Sequence, residues 1–298
     1  MKYFFVSLVF LLFSAVSASS AGIAVFAIIG KSRLVADTDT TIKKASITVG
    51  GGYGSDVQFF GRTGPIKYPY LNTYSIYNFK PGIFIYASGI NVLGYFPIVD
   101  EVDLGAGYLF RYSKQFSGSI SYTRFIFNKD AAYVIRSLSS NDINFKNTFD
   151  WKFAKSSVVF DYLFGKENDY FLTLNTSKYI ETDWSIFDDK DFLSFNPTVS
   201  AILGTQNFVA EYASQARFRV DVDNTFIPGG GPSIPARNYN NGRFNALNYS
   251  IKLPIAYNRP HYTIEASWKY SVPVDVEGQL GNRHEVFFNL TFYYVFFK

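Results

Sequence analysis

The stretch NALNYSIKLPIAYNRPHYTIEASWKYSV, Asn245 to Val272, holds two alternating runs joined by Asn258-Arg259-Pro260. In the first, Leu247, Tyr249, Ile251, Leu253, Ile255 and Tyr257 alternate with Asn248, Ser250, Lys252, Pro254 and Ala256. In the second, Tyr262, Ile264, Ala266, Trp268, Tyr270 and Val272 alternate with His261, Thr263, Glu265, Ser267, Lys269 and Ser271. A period of two puts each set on one face of an extended strand. A two-residue turn at Asn258-Arg259 sets Lys252 opposite Glu265, a favourable cross-strand pair. It also leaves every apolar side chain of the hairpin on the same face.

The pattern recurs upstream. From Glu101 to Tyr112, Val102, Leu104, Ala106, Tyr108 and Phe110 alternate with Glu101, Asp103 and Arg111. From Asp142 to Ala154, Ile143, Phe145, Phe149, Trp151 and Phe153 alternate with Asn144, Lys146, Thr148, Asp150 and Lys152. Shorter runs lie at 45–59, 70–78, 83–93, 116–127, 157–164, 169–179, 193–203 and 206–212, and a final run at 284–297. That makes about thirteen candidate strands, whereas bacterial single-chain membrane barrels have even numbers. The expectation is an all-β, antiparallel up-and-down transmembrane barrel of about twelve strands, within ten to fourteen.

A soluble β-sandwich alternates as well, with its apolar residues inward. Strand length and aromatic placement favour the membrane. Runs of twelve to fourteen residues exceed the usual soluble strand of about 5–6, and a tilted span needs about 9–11. Aromatics crowd both ends of the apolar faces, as at Tyr249 and Tyr257, Tyr262 and Tyr270, and Phe288 and Phe296, where girdles meet the two interfaces. Tyr249, Ile251, Leu253, Ile264, Trp268, Phe288, Leu290, Phe292, Tyr294 and Phe296 are therefore assigned to lipid. Arg124 breaks the apolar face of 116–127 and is placed at an interface.

Composition agrees. Aromatics make up 19% of the 298 residues and charged residues 17%, yet mean hydropathy is only +0.02. Alternating lipid-facing and water-facing positions produce that combination. A net charge of +4 with no basic run argues against nucleic acid. The absence of Cys removes disulfides, thiolate metal sites and a lipoprotein anchor.

Residues 1–21 have the layout of a secretory signal peptide: Lys2, an apolar run from Tyr3 to Phe13, then small residues to a cleavage site after Ala18 or Ala21. An uncleaved anchor helix is the competing reading. No later segment offers the ~20 apolar residues of a helical span, so residues 22–298 form the barrel domain. The connections at 204–207 and 258–260 are short, and those at 180–192, 213–244 and 273–283 are long. With the C-terminus on the short-turn side, the long ones are expected outside the cell.

The other face is assigned to the lumen: Asp103, Arg111, Asn144, Lys146, Thr148, Asp150, Lys152, Asp161, Ser250, Lys252, Glu265, Ser267, Lys269, Asn289 and Thr291. With Glu101 its charges balance, five acids against five bases, so strong ion selectivity is not expected. His261 and His284 are the chain's two histidines. Both fall at strand ends without a nucleophile–base spacing or a metal-ligand spacing, so catalytic residues, metal and cofactor are all assigned as none. The acidic segment Glu181, Asp183, Asp188, Asp189 and Asp191 reads as a solvated loop, with a divalent cation as the alternative. Gly51-Gly52-Tyr53-Gly54 lacks the residues that follow a phosphate cradle and reads as a bend or bulge.

The last run, Phe288, Leu290, Phe292, Tyr294 and Phe296, resembles the C-terminal strand of the outer-membrane β-barrel superfamily of Gram-negative bacteria. Phe296 matches its terminal aromatic, and Phe297-Lys298 overhang it. The resemblance implies export to the outer membrane, contact with its lipids and lipopolysaccharide, and recognition by the barrel-assembly machinery. The functional expectation is a passive, weakly selective channel for small hydrophilic or amphiphilic solutes. The alternatives are a closed barrel acting through its outer loops, or a hydrophobic-ligand carrier, for which Phe125 and Tyr293 supply aromatics on the lumen face.

Overall fold

The structure, a computed structural model, describes residues 45–64, 67–94, 97–128, 139–208, 242–276 and 280–297. The signal-peptide reading of 1–21 and most of the 213–244 loop fall outside them. Among the described residues no helix is long and apolar enough to cross a membrane.

Among the described residues fourteen strands form one antiparallel sheet. They are β1 (Ser46–Gly54), β2 (Tyr70–Asn78), β3 (Ile83–Val92), β4 (Glu101–Arg111), β5 (Phe116–Phe127), β6 (Ser139–Asp150) and β7 (Lys155–Gly165). Then come β8 (Asp169–Ser177), β9 (Ile180–Glu181), β10 (Phe192–Phe195), β11 (Thr198–Gly204), β12 (Asn245–Asn258), β13 (Tyr262–Pro273) and β14 (Glu285–Phe297). Consecutive strands pair from β1 to β8, β8 pairs with β11, β11 with β12, and β12 to β14 follow. The final strand returns to the first in register from Ser46↔Phe297 to Gly54↔Asn289. The result is a closed twelve-strand barrel, as the alternation predicts. The short strands β9 and β10 extend one rim, where β10 pairs with the last four residues of β12.

Burial follows the period of two. Tyr249, Ile251, Leu253, Ile264, Phe292 and Phe296 are each 41–52% exposed. Trp268 and Phe288 pack against each other across β13 and β14, with ring centroids 5.9 Å apart, while Leu290 is exposed and Tyr294 lies 4.6 Å from Phe296. Ile47, Val49, Ile85, Leu104, Ile120, Val158 and Val199 continue the exposed apolar belt on other strands. A belt of this extent is incompatible with water and suits hydrocarbon. Aromatic pairs mark its edges: Tyr162 stacks on Tyr170 at one rim, and Phe149 meets Trp151 at the other. Arg124 is exposed three residues from the end of β5 and donates to Ser140 Oγ and Asn141 Oδ1 at 2.9 Å. That is the interfacial position expected for a charge on this face.

Four local expectations need correction. The β12–β13 turn is centred on Pro260-His261, with the Arg259 N–H donating to Tyr262 O at 2.8 Å. Proline lacks the N–H that a ladder position opposite Tyr257 requires and suits the second position of a turn. Lys252 therefore pairs with Lys269, and Glu265 with Ala256. The slip is four residues, an even number, so the faces are unchanged. Lys252 still reaches Glu265 diagonally, at 3.3 Å. Second, β6 stops at Asp150. Lys152 sits at φ 72° in the turn, and its N–H donates to Asp150 Oδ1 at 2.8 Å, so it is exposed rather than on the inner wall.

Third, Gln206–Phe208, where a strand was expected to begin, have no strand conformation. Fourth, removing that strand reverses the side of everything before it. The 180–192 segment shares a rim with the C-terminal end of β14 and the turns at 79–82, 112–115, 151–154 and 259–261. It was expected beside 213–244, yet the connection from β11 to β12 leaves from the opposite rim.

Candidate solute path and mouth

Glycine faces aromatic rings inside the wall. Tyr74 lies opposite Gly50 and Tyr70 opposite Gly54. Tyr86 lies opposite Gly105, Phe84 opposite Gly107 and Phe171 opposite Gly204. In each pair the ring occupies the space that a Cβ on the glycine would need. The rings cover exposed backbone and lie along the wall instead of projecting across the lumen. Gly50, Gly52 and Gly54 of the GGYG region are thus landing sites for rings or closely packed backbone, within a strand that keeps an unbroken register.

The remaining inward residues are mostly polar. Thr48, Asn72, Ser88, Ser119, Ser121, Thr123, Ser250, Ser267 and Ser271 are buried. On β6–β8 and β11–β14 a set stays partly accessible: Lys146, Thr148, Thr173, Asn175, Ser200, Lys252, Glu265, Asn289 and Thr291. Asp103 accepts from Ser88 Oγ at 2.9 Å, and Asp161 from Asn144 Nδ2 at 2.6 Å. Asp150 pairs with Lys155 at 3.3 Å near the short-turn rim, where Arg111 is exposed at the end of β4. Lys269 lies 5.4 Å from the centroid of the Phe287 ring and donates to Gln58 Oε1.

Gln58 belongs to the β1–β2 connection, which folds back over the opposite mouth. Phe59, Phe60, Gly61 and Arg62 make a tight turn. Its centre residues have φ 42° and 82°, and two backbone bonds of 2.8 Å join Phe59 and Arg62. Both centre positions are left-handed, a conformation that glycine adopts freely and phenylalanine does not. Phe60 stacks flat on Phe171, centroids 3.7 Å apart, and Phe59 meets Phe171 and Phe208 edge-on. Leu163, Leu247 and Leu280 complete this apolar cluster. Leu247 reads as an outward residue in the alternation of β12. It turns inward because the β11–β12 register shifts between Ile202 and Leu203.

Arg62 is fully buried and anchors the turn. Its Nε donates to Gln206 Oε1 at 3.0 Å, one terminal nitrogen to Leu247 O at 2.8 Å, and the other to Asp275 O at 3.0 Å. Asn248 Nδ2 adds a bond to Gly61 O at 3.2 Å and one to Ser271 Oγ at 2.6 Å. Asp56, at the base of the connection, accepts from the Tyr68 N–H at 2.6 Å. Burial pushes its carboxyl up to about 7, against that N–H and with help from nearby Glu285. Sequence reasoning missed Arg62, Gln58, Asn248 and Gln206. The one local sign was Gly61, a turn residue after an aromatic pair inside a connection.

The acidic segment at the other rim is organised from within. Asp191 accepts from the Ile186 and Phe187 N–H groups at 2.6 and 2.9 Å and from the Tyr257 hydroxyl at 2.9 Å. Arg259 contacts both Asp188 and Asp191. Burial raises the Asp191 pKa, but these donors outweigh it and hold the carboxyl below its ordinary value. Among the described residues no group of His, Cys, Asp and Glu is placed to hold a metal. His261 stacks on Tyr294 at the short-turn rim, whereas His284 meets the Tyr270 hydroxyl at the other rim. The two histidines therefore cannot serve one site.

No family model matches the chain, and no curated protein does. Solved structures similar to the chain include the KdgM porin, with 9% identity and a TM-score of 0.45 over 84% of this chain and 99% of that one. The NanC porin has 11% identity and a TM-score of 0.43 over 85% and 99%. An outer membrane channel from Pseudomonas putida F1 has 11% identity and a TM-score of 0.42 over 85% and 96%.

Proposed function

We propose that the chain is an outer-membrane barrel acting as a narrow passive channel for small hydrophilic solutes, with the Phe59–Arg62 turn as its constriction. The observation that carries this reading is the combination of an apolar outer belt with an inner wall of Ser, Thr, Asn and paired charges. Part of that wall is accessible on β6–β8 and β11–β14. Rings lying on glycines leave the centre of the barrel to these polar groups. A twelve-strand barrel lies between those filled by side chains and those with a wide aqueous bore. Small solutes therefore fit the dimensions. Lipids and lipopolysaccharide contact the belt, and the barrel-assembly machinery reads the Phe288–Phe296 strand. No catalytic role is assigned to His261 or His284.

The test is planar-bilayer recording of the refolded chain, with folding verified by circular dichroism. Discrete low-conductance steps in potassium chloride are expected. A folded barrel that inserts and passes no current in any gating state refutes the channel and leaves a closed structural barrel.

A further inference from the structure

The balanced count of acids and bases leaves out Asp142 and takes no account of placement. Asp103, Asp142 and Asp161 stand on the inner face of β4, β6 and β7, within four successive strands of the wall, in the half nearer the mouth that the Phe59–Arg62 turn narrows. Asp142 lies directly opposite Thr123 of β5, and Asn144, two residues along, lies opposite Asp161. Strand spacing and rise put the Cα atoms of Asp142 and Asp161 about 8 Å apart, and those of Asp142 and Asp103 about 12 Å apart. None of the three forms an ion pair among the described residues. The nearest base on the inner face of their own strands is Lys146, four residues from Asp142 and diagonal to Asp161, about 8 Å away between Cα atoms.

Asp142 is the telling member. It is 0% exposed, and neither carboxylate oxygen has a hydrogen-bond donor. Asp103 also keeps one oxygen without a donor. An unpaired buried carboxylate costs several kcal/mol, a cost that either a proton on it or a cation against it removes. Among the described residues the carboxyl groups do not converge as a metal cage does. Their spread suits N–H donors distributed along a chain. Tyr86 lies in the same patch, its ring over Gly105 and its hydroxyl bonded to Thr123 Oγ1. It adds an aromatic face of the kind that attracts alkylammonium groups.

We propose that Asp103, Asp142 and Asp161, with Tyr86, form a binding site on the lumen wall for organic ammonium groups, so that the channel favours amine-bearing solutes. The proposal builds on the channel reading in one respect: the solute reaches the wall through the lumen, past the partly accessible Lys146 and Thr148, and displaces the neighbours that bury the carboxyl groups.

Calorimetric titration of spermidine into the folded, full-length barrel tests it without requiring current. Saturable binding is expected, weakened about tenfold to hundredfold by Asp142→Asn, the loss of one charge-assisted contact. Asp161→Asn, which leaves Asp142 in place, is the second variant should the first not fold, and the same weakening is expected. Unchanged affinity in a folded variant overturns the site, as does a folded wild type that binds magnesium but not spermidine. A barrel that binds spermidine yet carries no current keeps the site and removes the channel. One that conducts but does not bind removes the site and keeps the channel.

Discussion

Replacing Arg62 by alanine isolates the closure of the mouth. The guanidinium makes three hydrogen bonds, to Gln206 Oε1, Leu247 O and Asp275 O, all between 2.8 and 3.0 Å. A hydrogen bond to a charged group contributes about 1.5–3 kcal/mol. Contacts that share one side chain are not additive, so the anchoring lost is about 3–5 kcal/mol. Each 1.36 kcal/mol is a factor of ten in an equilibrium. The ratio of displaced to docked turn therefore rises at least about a hundredfold. The Phe60–Phe171 stack and the Asn248 contact to Gly61 O remain, which limits the effect to the turn rather than the barrel. Single-channel recording should show longer openings or a larger step, and chymotrypsin should cut faster at Phe59 and Phe60. Arg62→Lys keeps the charge but cannot reproduce the forked geometry, and should fall between the two. Faster cleavage with unchanged conductance would refute the assignment of this turn as the constriction. If neither changes, Arg62 is not the anchor.

The Asp56 carboxyl is raised from 3.8 to about 7 in the folded connection, so its ionisation works against the docked turn. The docked state weakens progressively as pH rises from about 4 to 7 and no further above that. Hydrogen exchange of residues 55–64 should follow this window, and Asp56→Asn should flatten it; a protection that grows with rising pH contradicts the sign. Asp191 behaves in the opposite sense. Its lowered pKa gives the 182–195 segment a stabilisation that is present above the unfolded value near 3.9 and lost as pH falls through the folded one. Proteolysis of that segment should therefore accelerate in acid, and Asp191→Ala should make it fast at every pH. At Gly105 an added Cβ overlaps the Tyr86 ring, whereas at Gly89 the nearest atom is 3.6 Å away. Gly105→Ala should cost about 1–3 kcal/mol in urea unfolding of the inserted barrel, and Gly89→Ala much less.

Alternation by itself determined the barrel. Residues from Tyr249 to Tyr257 and from Tyr262 to Tyr270 can satisfy lipid on one side and polar groups on the other only as strands. An even-numbered register slip leaves that property untouched. The final strand, Phe288 to Phe296, was legible for the same reason. The turn at Pro260 was not, because the position of a turn depends on which backbone N–H groups must join the ladder. Nor was the side of 180–192 legible, since a strand expected to begin at Gln206, where β11 instead pairs directly with β12, reverses every rim before it.

Only the tertiary structure decided what the lumen is. Arg62 and Gln206 are 144 residues apart in sequence, and Phe60 and Phe171 111, yet they meet in one mouth because strands distant in the chain share a rim once the sheet closes. A tally of charges along strands counts Asp103 and Asp161 as cancelled by lysines such as Lys252 and Lys269, and it leaves out Asp142. Closure places the acids on β4, β6 and β7 and the lysines on β12 and β13. Electrostatic neutralisation depends on distance, and the sequence carries no distances between strands that do not follow one another.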